Sequence, residues 1–208
     1  MFEKMEIHAF IDELASNSPA PGGGSVAALT ASLSSALVSM VANLTIGKEK
    51  YKENWGKMQE ILEESEELRR EFLSLMNKDT EAFNKYMEAT KLPKETEEEK
   101  KIRTKAMLDA TKNSTLIPLM TLETCAKVSF LANVATVYGN PNTASDAGSA
   151  SALVEAAAKA ASYNIRINLL GINDSMFAYE CTKRMNSALE SIKADCKKTE
   201  AEMNKKFA

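Results

Sequence analysis

Two carboxylates in this chain stand in contrasting settings, as acid–base chemistry requires. Asp79 falls on an apolar stripe at helical spacing, between Leu75 and Met76 on one side and Ala82 and Phe83 on the other. A carboxyl group buried there is pushed to a higher pKa and can give or take a proton near neutral pH. The same position also suits a carboxylate paired with a lysine or capping a neighbouring loop. Asp146 lies at an expected helix start, where it accepts N–H bonds and stays ionised. Asn140, Asn142, Thr143 and Ser145 crowd the same entrance. Amides and a carboxylate together suit a heterocycle with both donors and acceptors, although a plain N-cap also accounts for Asp146.

The segment Pro19-Ala20-Pro21-Gly22-Gly23-Gly24-Ser25 offers a different chemistry. Three glycines let backbone N–H groups approach a ligand with no Cβ in the way. The helix expected after them aims its unpaired N–H groups and positive dipole end at the same place. Pro21, Gly22, Gly23, Gly24 and Ser25 are therefore candidates to bind an anionic or carbonyl-rich ligand. The alternative is a Pro-Gly loop that merely starts a buried helix. Lys48, Lys50 and Tyr51 follow that helix and can hold an anionic tail or cap its carbonyls. Asn164 and Asn168 share one helix face at a spacing of four and either brace the core or line a pocket.

Other constellations are missing. There is no phosphate-loop lysine motif, dinucleotide fingerprint or zinc pattern. The single histidine, His8, has no evident partner, so a Ser–His–acid triad and a histidine metal site are not expected. Acid–base work falls to carboxylates, lysine or tyrosine.

The elements that must position these groups read as helices almost throughout, as an all-α bundle of long helices forming one domain over 1–208. A short first helix covers about Lys4–Ser16, with Ile7, Phe10, Ile11 and Leu14 on one face. No charged residue occurs from Gly22 to Gly47, so a helix over Gly23–Thr45 should be central. Its serines and threonines, and the lack of an aromatic belt, favour a buried helix over a membrane span. A long helix over Glu49–Thr90 carries the stripe Trp55, Met58, Leu62, Leu68, Phe72, Leu75, Met76, Phe83 and Tyr86, and Leu92-Pro93 stops it. Thr96 and Glu99 form a capping box for a helix reaching about Val137, which Pro118 should kink or divide. Ser145 and Asp146 cap an alanine-rich second central helix ending near Gly171. Asn173 or Asp174 caps a last amphipathic helix with Phe177, Cys181, Met185, Ala188, Ile192 and Met203. Gly24–Leu29 faintly echoes Gly148–Leu153, as if two small-residue helices lay with their backbones close.

Composition narrows the classes further. Aromatics make up 6% of 208 residues, and Ala, Ser, Leu and Met are abundant, which suits close-packed helices. A formal charge of −3 argues against a general nucleic-acid binder. Three scattered cysteines, Cys125, Cys181 and Cys196, read as reduced thiols in a cytoplasmic protein, and the N-terminus lacks the features of a signal peptide.

Taken together, the segments resemble the formiminotransferase-cyclodeaminase C-terminal family, which includes cyclodeaminases and methenyltetrahydrofolate cyclohydrolases. The matching pieces run in order: Pro19–Ser25, Gly47-Lys48 with Tyr51, Asp79 with Ala82-Phe83, Leu92-Pro93, Arg103 with Ala106, Pro118, Asn140 through Ser145-Asp146-Ala147, Asn164 with Asn168, and Asp174. The glycine loop and the Ser-Asp segment are the specific ones. The resemblance implies an all-helical homodimer acting on tetrahydrofolate one-carbon derivatives, without redox cofactor or obligatory metal and with tetrahydrofolate as the carrier of its substrate. It implies formiminotetrahydrofolate cyclodeaminase as the first expectation and methenyltetrahydrofolate cyclohydrolase as the second. A non-catalytic folate-binding or structural dimer is the alternative of another class. On this reading Asp146 and Asp79 are acid–base candidates, Lys48 and Tyr51 assist them, and the glycine loop, Asn140, Asn142, Ser145, Asn164 and Asn168 bind substrate.

Overall fold

The uncharged run becomes the centre of the molecule. The computed structural model describes residues 2–208. After a 3-10 turn at Phe2–Lys4, helix α1 covers Ile7–Leu14, α2 Gly23–Asn43, α3 Trp55–Thr90, α4 Glu97–Tyr138, α5 Ala144–Leu169 and α6 Ser175–Phe207. No strand occurs among the described residues, as the all-α expectation required. Helix α2 packs against α3, α4 and α5, and α6 closes the bundle against α4 and α5.

Buried hydroxyls are the cost of so polar a central helix, and each has a partner. Ser35 and Ser39 bond back to the carbonyls of Ala31 and Ser35. Ser32 reaches the carbonyl of Arg69 in α3, and Ser34 that of Ala150 in α5 at 2.7 Å. The last bond holds α2 and α5 together through small residues, the close backbone approach that their alanine- and serine-rich sequences favour. By composition α2 and α4 are long and apolar enough to cross a membrane, but 61% and 67% of their apolar stretches are buried inside the bundle.

Several boundaries differ from expectation. Helix α1 is only eight residues long and lies at the edge, so Phe10 alone enters the core, against Phe2, while Ile7, Ile11 and Leu14 remain exposed. Residues Glu49–Asn54 form a 3-10 segment because Tyr51 leaves helical geometry; Trp55 Nε1 donates to the Lys48 carbonyl across it, and α3 starts at Trp55. Gly47, at φ 80°, supplies the left-handed turn after α2. Helix α5 starts at Ala144, so Ser145 and Asp146 lie inside its first turn rather than at its cap. The Thr96–Glu99 capping box is present. Asp174 caps α6 by accepting from the Phe177 N–H, and Lys112 Nζ holds the same carboxylate at 2.7 Å, drawing its pKa below the usual range.

Pro118 does not divide α4. Proline has no N–H to give, so the carbonyl four residues back, that of Ser114, loses its helical donor. Asn168 Nδ2 from α5 donates to that carbonyl at 2.7 Å and restores the bond from outside. Replacing Asn168 with leucine should therefore take the donor from a partly buried carbonyl and lower stability by about 1 kcal/mol, measurable by chemical denaturation.

Candidate active site

A cleft of about 860 Å³ opens where the glycine loop meets the middle of the bundle. One wall is the loop itself, Pro19, Ala20 and Gly22–Gly24. Helix α3 contributes Asp79, Phe83 and Tyr86, and α4 contributes Arg103, Met107, Thr111 and Ser114. Asn164, Ile167 and Asn168 of α5 close the third side. The volume suits a drug-sized organic ligand.

Asp79 stands at the mouth of α2. Its Oδ2 accepts a 2.8 Å hydrogen bond from Ser25 Oγ, and the carboxylate also accepts from the Ser25 backbone N–H. It thus caps α2 from another helix, the capping alternative its position allowed. Ser25 Oγ also lies 3.2 Å from Thr80 Oγ1. Burial outweighs the Ser25 hydrogen bonds, and the Asp79 carboxyl is raised above the ordinary carboxylate pKa. A group of this kind keeps enough proton affinity to act as a base toward water or an amine near neutral pH.

The glycines divide their roles. A Cβ on Gly24 would collide with the Asp79 carboxylate, so Gly24 makes room for a protein group rather than for a ligand. A Cβ on Gly23 would come within 3.3 Å of Asn164 Nδ2, on the cleft wall, and one on Gly22 would meet nothing closer than 3.9 Å. Gly23→Ala should therefore weaken ligand binding more than it lowers the melting temperature. Gly24→Ala should do the reverse, and paired thermal and binding measurements would separate the two. Pro21 and Ser25 are buried behind the loop and do not line the cleft.

Asn164 and Asn168 do both things their spacing allowed. Asn164 Nδ2 donates to the Ala160 carbonyl and Asn168 Nδ2 to Ser114, while both residues line the cleft. Ser114 Oγ is buried without a hydrogen-bond partner.

The remaining candidates lie elsewhere. Helix α2 is 21 residues long, about 30 Å, and separates the cleft from Lys48, Tyr51, Asn140, Asn142, Ser145 and Asp146 at its far end. None of these six lines the cleft. Asn140 is buried and fully engaged there. Its backbone N–H donates to Thr45 Oγ1, its Nδ2 to the Leu44 carbonyl, and its Oδ1 accepts from Asn142 N. It pins the α4–α5 turn to the end of α2. Lys48 is exposed, and Tyr51 and Asp146 are half-buried. One chain therefore holds two polar clusters, at opposite ends of one helix.

Phe83, Tyr86, Arg103 and Ser114 join the cleft without having been candidates from their chemistry. The available signal was spacing. Asp79, Phe83, Tyr86 and Thr90 share one face of α3, as Arg103, Met107 and Ser114 do on α4.

A family model described as Formiminotransferase-cyclodeaminase matches residues 6–187. A methenyltetrahydrofolate cyclohydrolase from Methylorubrum extorquens is 42% identical over 183 residues, 88% of this chain and 88% of that protein. A formimidoyltransferase-cyclodeaminase from Sus scrofa is 32% identical over 187 residues, which is 90% of this chain but 35% of that protein. The chain thus spans about a third of that longer relative. A solved structure, formiminotetrahydrofolate cyclodeaminase from Thermotoga maritima, superposes with a TM-score of 0.90 at 27% identity and covers 100% of both chains.

Proposed function

Because the chain belongs to the formiminotransferase-cyclodeaminase family, we propose that it acts on the one-carbon unit held between N5 and N10 of tetrahydrofolate, with Asp79 as the acid–base group. The observation that carries this reading is the half-buried carboxyl of raised proton affinity lining a cleft large enough for a folate.

Of the two family reactions we place methenyltetrahydrofolate cyclohydrolase first, because the relative of that name is 42% identical along nearly its whole length. In that reaction water adds to the methenyl carbon and loses a proton to the Asp79 carboxylate. The N5–carbon bond then breaks as the added hydroxyl gives up its remaining proton and becomes the formyl oxygen, N5 takes a proton, and 10-formyltetrahydrofolate is released. The cyclodeaminase reading keeps the support of the Thermotoga maritima structure and of the longer relatives. There N10 attacks the formimino carbon, the methenyl bridge closes and ammonia leaves. Both pass through a tetrahedral carbon between the same two nitrogens, so one base serves either. Comparing kcat/KM for 5,10-methenyl- and 5-formimino-tetrahydrofolate tests the order. A higher value for the formimino substrate would reverse it, and activity on neither would leave a folate-binding role.

The assembly we propose is a homodimer. Val26, Leu33 and Met40 recur every seven residues on α2, with Leu37 and Leu44 beside them, as an uncharged and partly exposed seam. Leu33 is 53% exposed, and Ile167 at the cleft rim 63%. Two-fold pairing of antiparallel α2 helices covers this seam. It also carries the Lys48–Tyr51–Asp146 end of one copy to the cleft of the other, reuniting the two clusters. Light scattering at micromolar concentration should give a dimer; a monomer with full turnover would contradict this assembly.

A further inference from the structure

We infer that Arg103 binds the terminal carboxylates of the substrate's glutamate tail, and so sets the direction in which the folate lies: reacting end at Asp79, tail toward the α3–α4 turn. The inference rests on the folate reading above and adds a residue and a subsite to it.

Charge comes first. Among the residues lining the cleft only Asp79 and Arg103 are ionic. Arg103 takes part in none of the ion pairs found among the described residues. Its Nε and Nη2 donate to the Thr90 carbonyl at 3.2 and 3.1 Å. That carbonyl is at the C-terminal, negative end of α3, which fixes the planar fork. Guanidinium has five N–H donors, and Nη1 donates to no protein group among the described residues. A half-buried arginine held on one edge, with its other edge free and no acid beside it, is built to receive a carboxylate in a forked pair.

Register sets the distance. Arg103 is tied to Thr90, and Thr90 lies eleven residues along α3 from Asp79, about 16 Å. Phe83 and Tyr86 occupy the intervening turns on the same face. Helix α4 runs back antiparallel, so Ser114, eleven residues past Arg103, returns to the level of Asp79. The cleft is thus a slot with a proton-accepting carboxyl at one end, an aromatic middle and a cation at the other. A reduced pteridine, a benzoyl ring and a dicarboxylate tail follow one another in the same order and over a comparable length.

The test compares two substrates on two proteins. One substrate is 5,10-methenyltetrahydrofolate; in the other a neutral amide replaces the glutamate. With the wild-type chain, loss of the tail should raise KM about 10- to 100-fold, the worth of one charge-assisted pair, with kcat nearly unchanged. Arg103→Met should raise KM for the intact substrate by a similar factor and leave KM for the neutral one unaltered. Equal KM values for both substrates on the wild-type chain would overturn the inference without touching the folate reading, and this comparison needs no variant. An equal KM increase for both substrates in Arg103→Met would also overturn it, because the arginine would then act only by shaping the turn. No turnover of the intact substrate, nor of its 5-formimino counterpart, by the wild-type chain would instead remove the proposed folate chemistry on which the inference rests.

Discussion

Replacing Asp79 with asparagine is expected to lower kcat by about 100-fold or more while leaving the protein at least as stable at neutral pH. The two effects have one cause. Burial raises the Asp79 carboxyl above its ordinary pKa, so the folded chain holds this proton at a pH where the unfolded chain has released it. Stability then falls as pH rises from the ordinary carboxylate range through the raised value, and the full cost is present above it. Asparagine keeps the shape and an acceptor for Ser25 but never ionises. The wild-type melting temperature should decline across that window relative to the variant, whose profile should lack the step. A variant that keeps near-normal turnover, or that loses activity only because it unfolds, would remove Asp79 from the chemistry.

The second large effect concerns the two polar clusters. Asp79→Asn and Asp146→Asn are each expected to be nearly inactive alone. Mixed, unfolded and refolded together, they should recover about a quarter of wild-type activity. In a two-fold dimer half of the reassembled pairs are mixed, and each mixed pair regains one intact site of two. Recovery follows only if Asp79 of one copy works beside Asp146 of the other. Asp146→Asn with full activity, or no recovery on mixing, would confine the site to one chain and leave Asp146 as a residue of the first turn of α5. Exposed Leu33 and Met40 give a handle on the same point, since Leu33→Glu should reduce both dimer and activity together.

Much of this was legible in the residues because burial patterns are local. The uncharged run announced the central helix, and Thr96 with Glu99 announced the start of α4. Asp79, the glycine loop, Asn164 and Asn168 declared themselves as polar or backbone-exposing groups where apolar side chains were due. What spacing hid was partnership. Gly24 looked open to a ligand, yet the space belongs to Asp79. Spacing left Asn168 to brace the core or line a pocket without naming its partner, which is a carbonyl released by a proline fifty residues away. Arg103 sits in the basic stretch Lys100–Lys105, where nothing local distinguishes it from its neighbours. Only the α3–α4 register, set by the turn after Thr90, brings it to the cleft. The separation of the two clusters follows from the length of α2, since a helix keeps its ends apart however polar they are.

The most direct measurement is the absorbance of the methenyl bridge while the purified chain is mixed with 5,10-methenyltetrahydrofolate and, separately, with 5-formiminotetrahydrofolate, using the wild-type protein and Asp79→Asn. The account predicts that the wild-type chain speeds the loss of absorbance with the first substrate, or its gain with the second, well beyond the uncatalysed rate, and that Asp79→Asn loses most of this acceleration. Rates indistinguishable from the uncatalysed ones with both substrates, or a folded Asp79→Asn protein as fast as wild type, would contradict it.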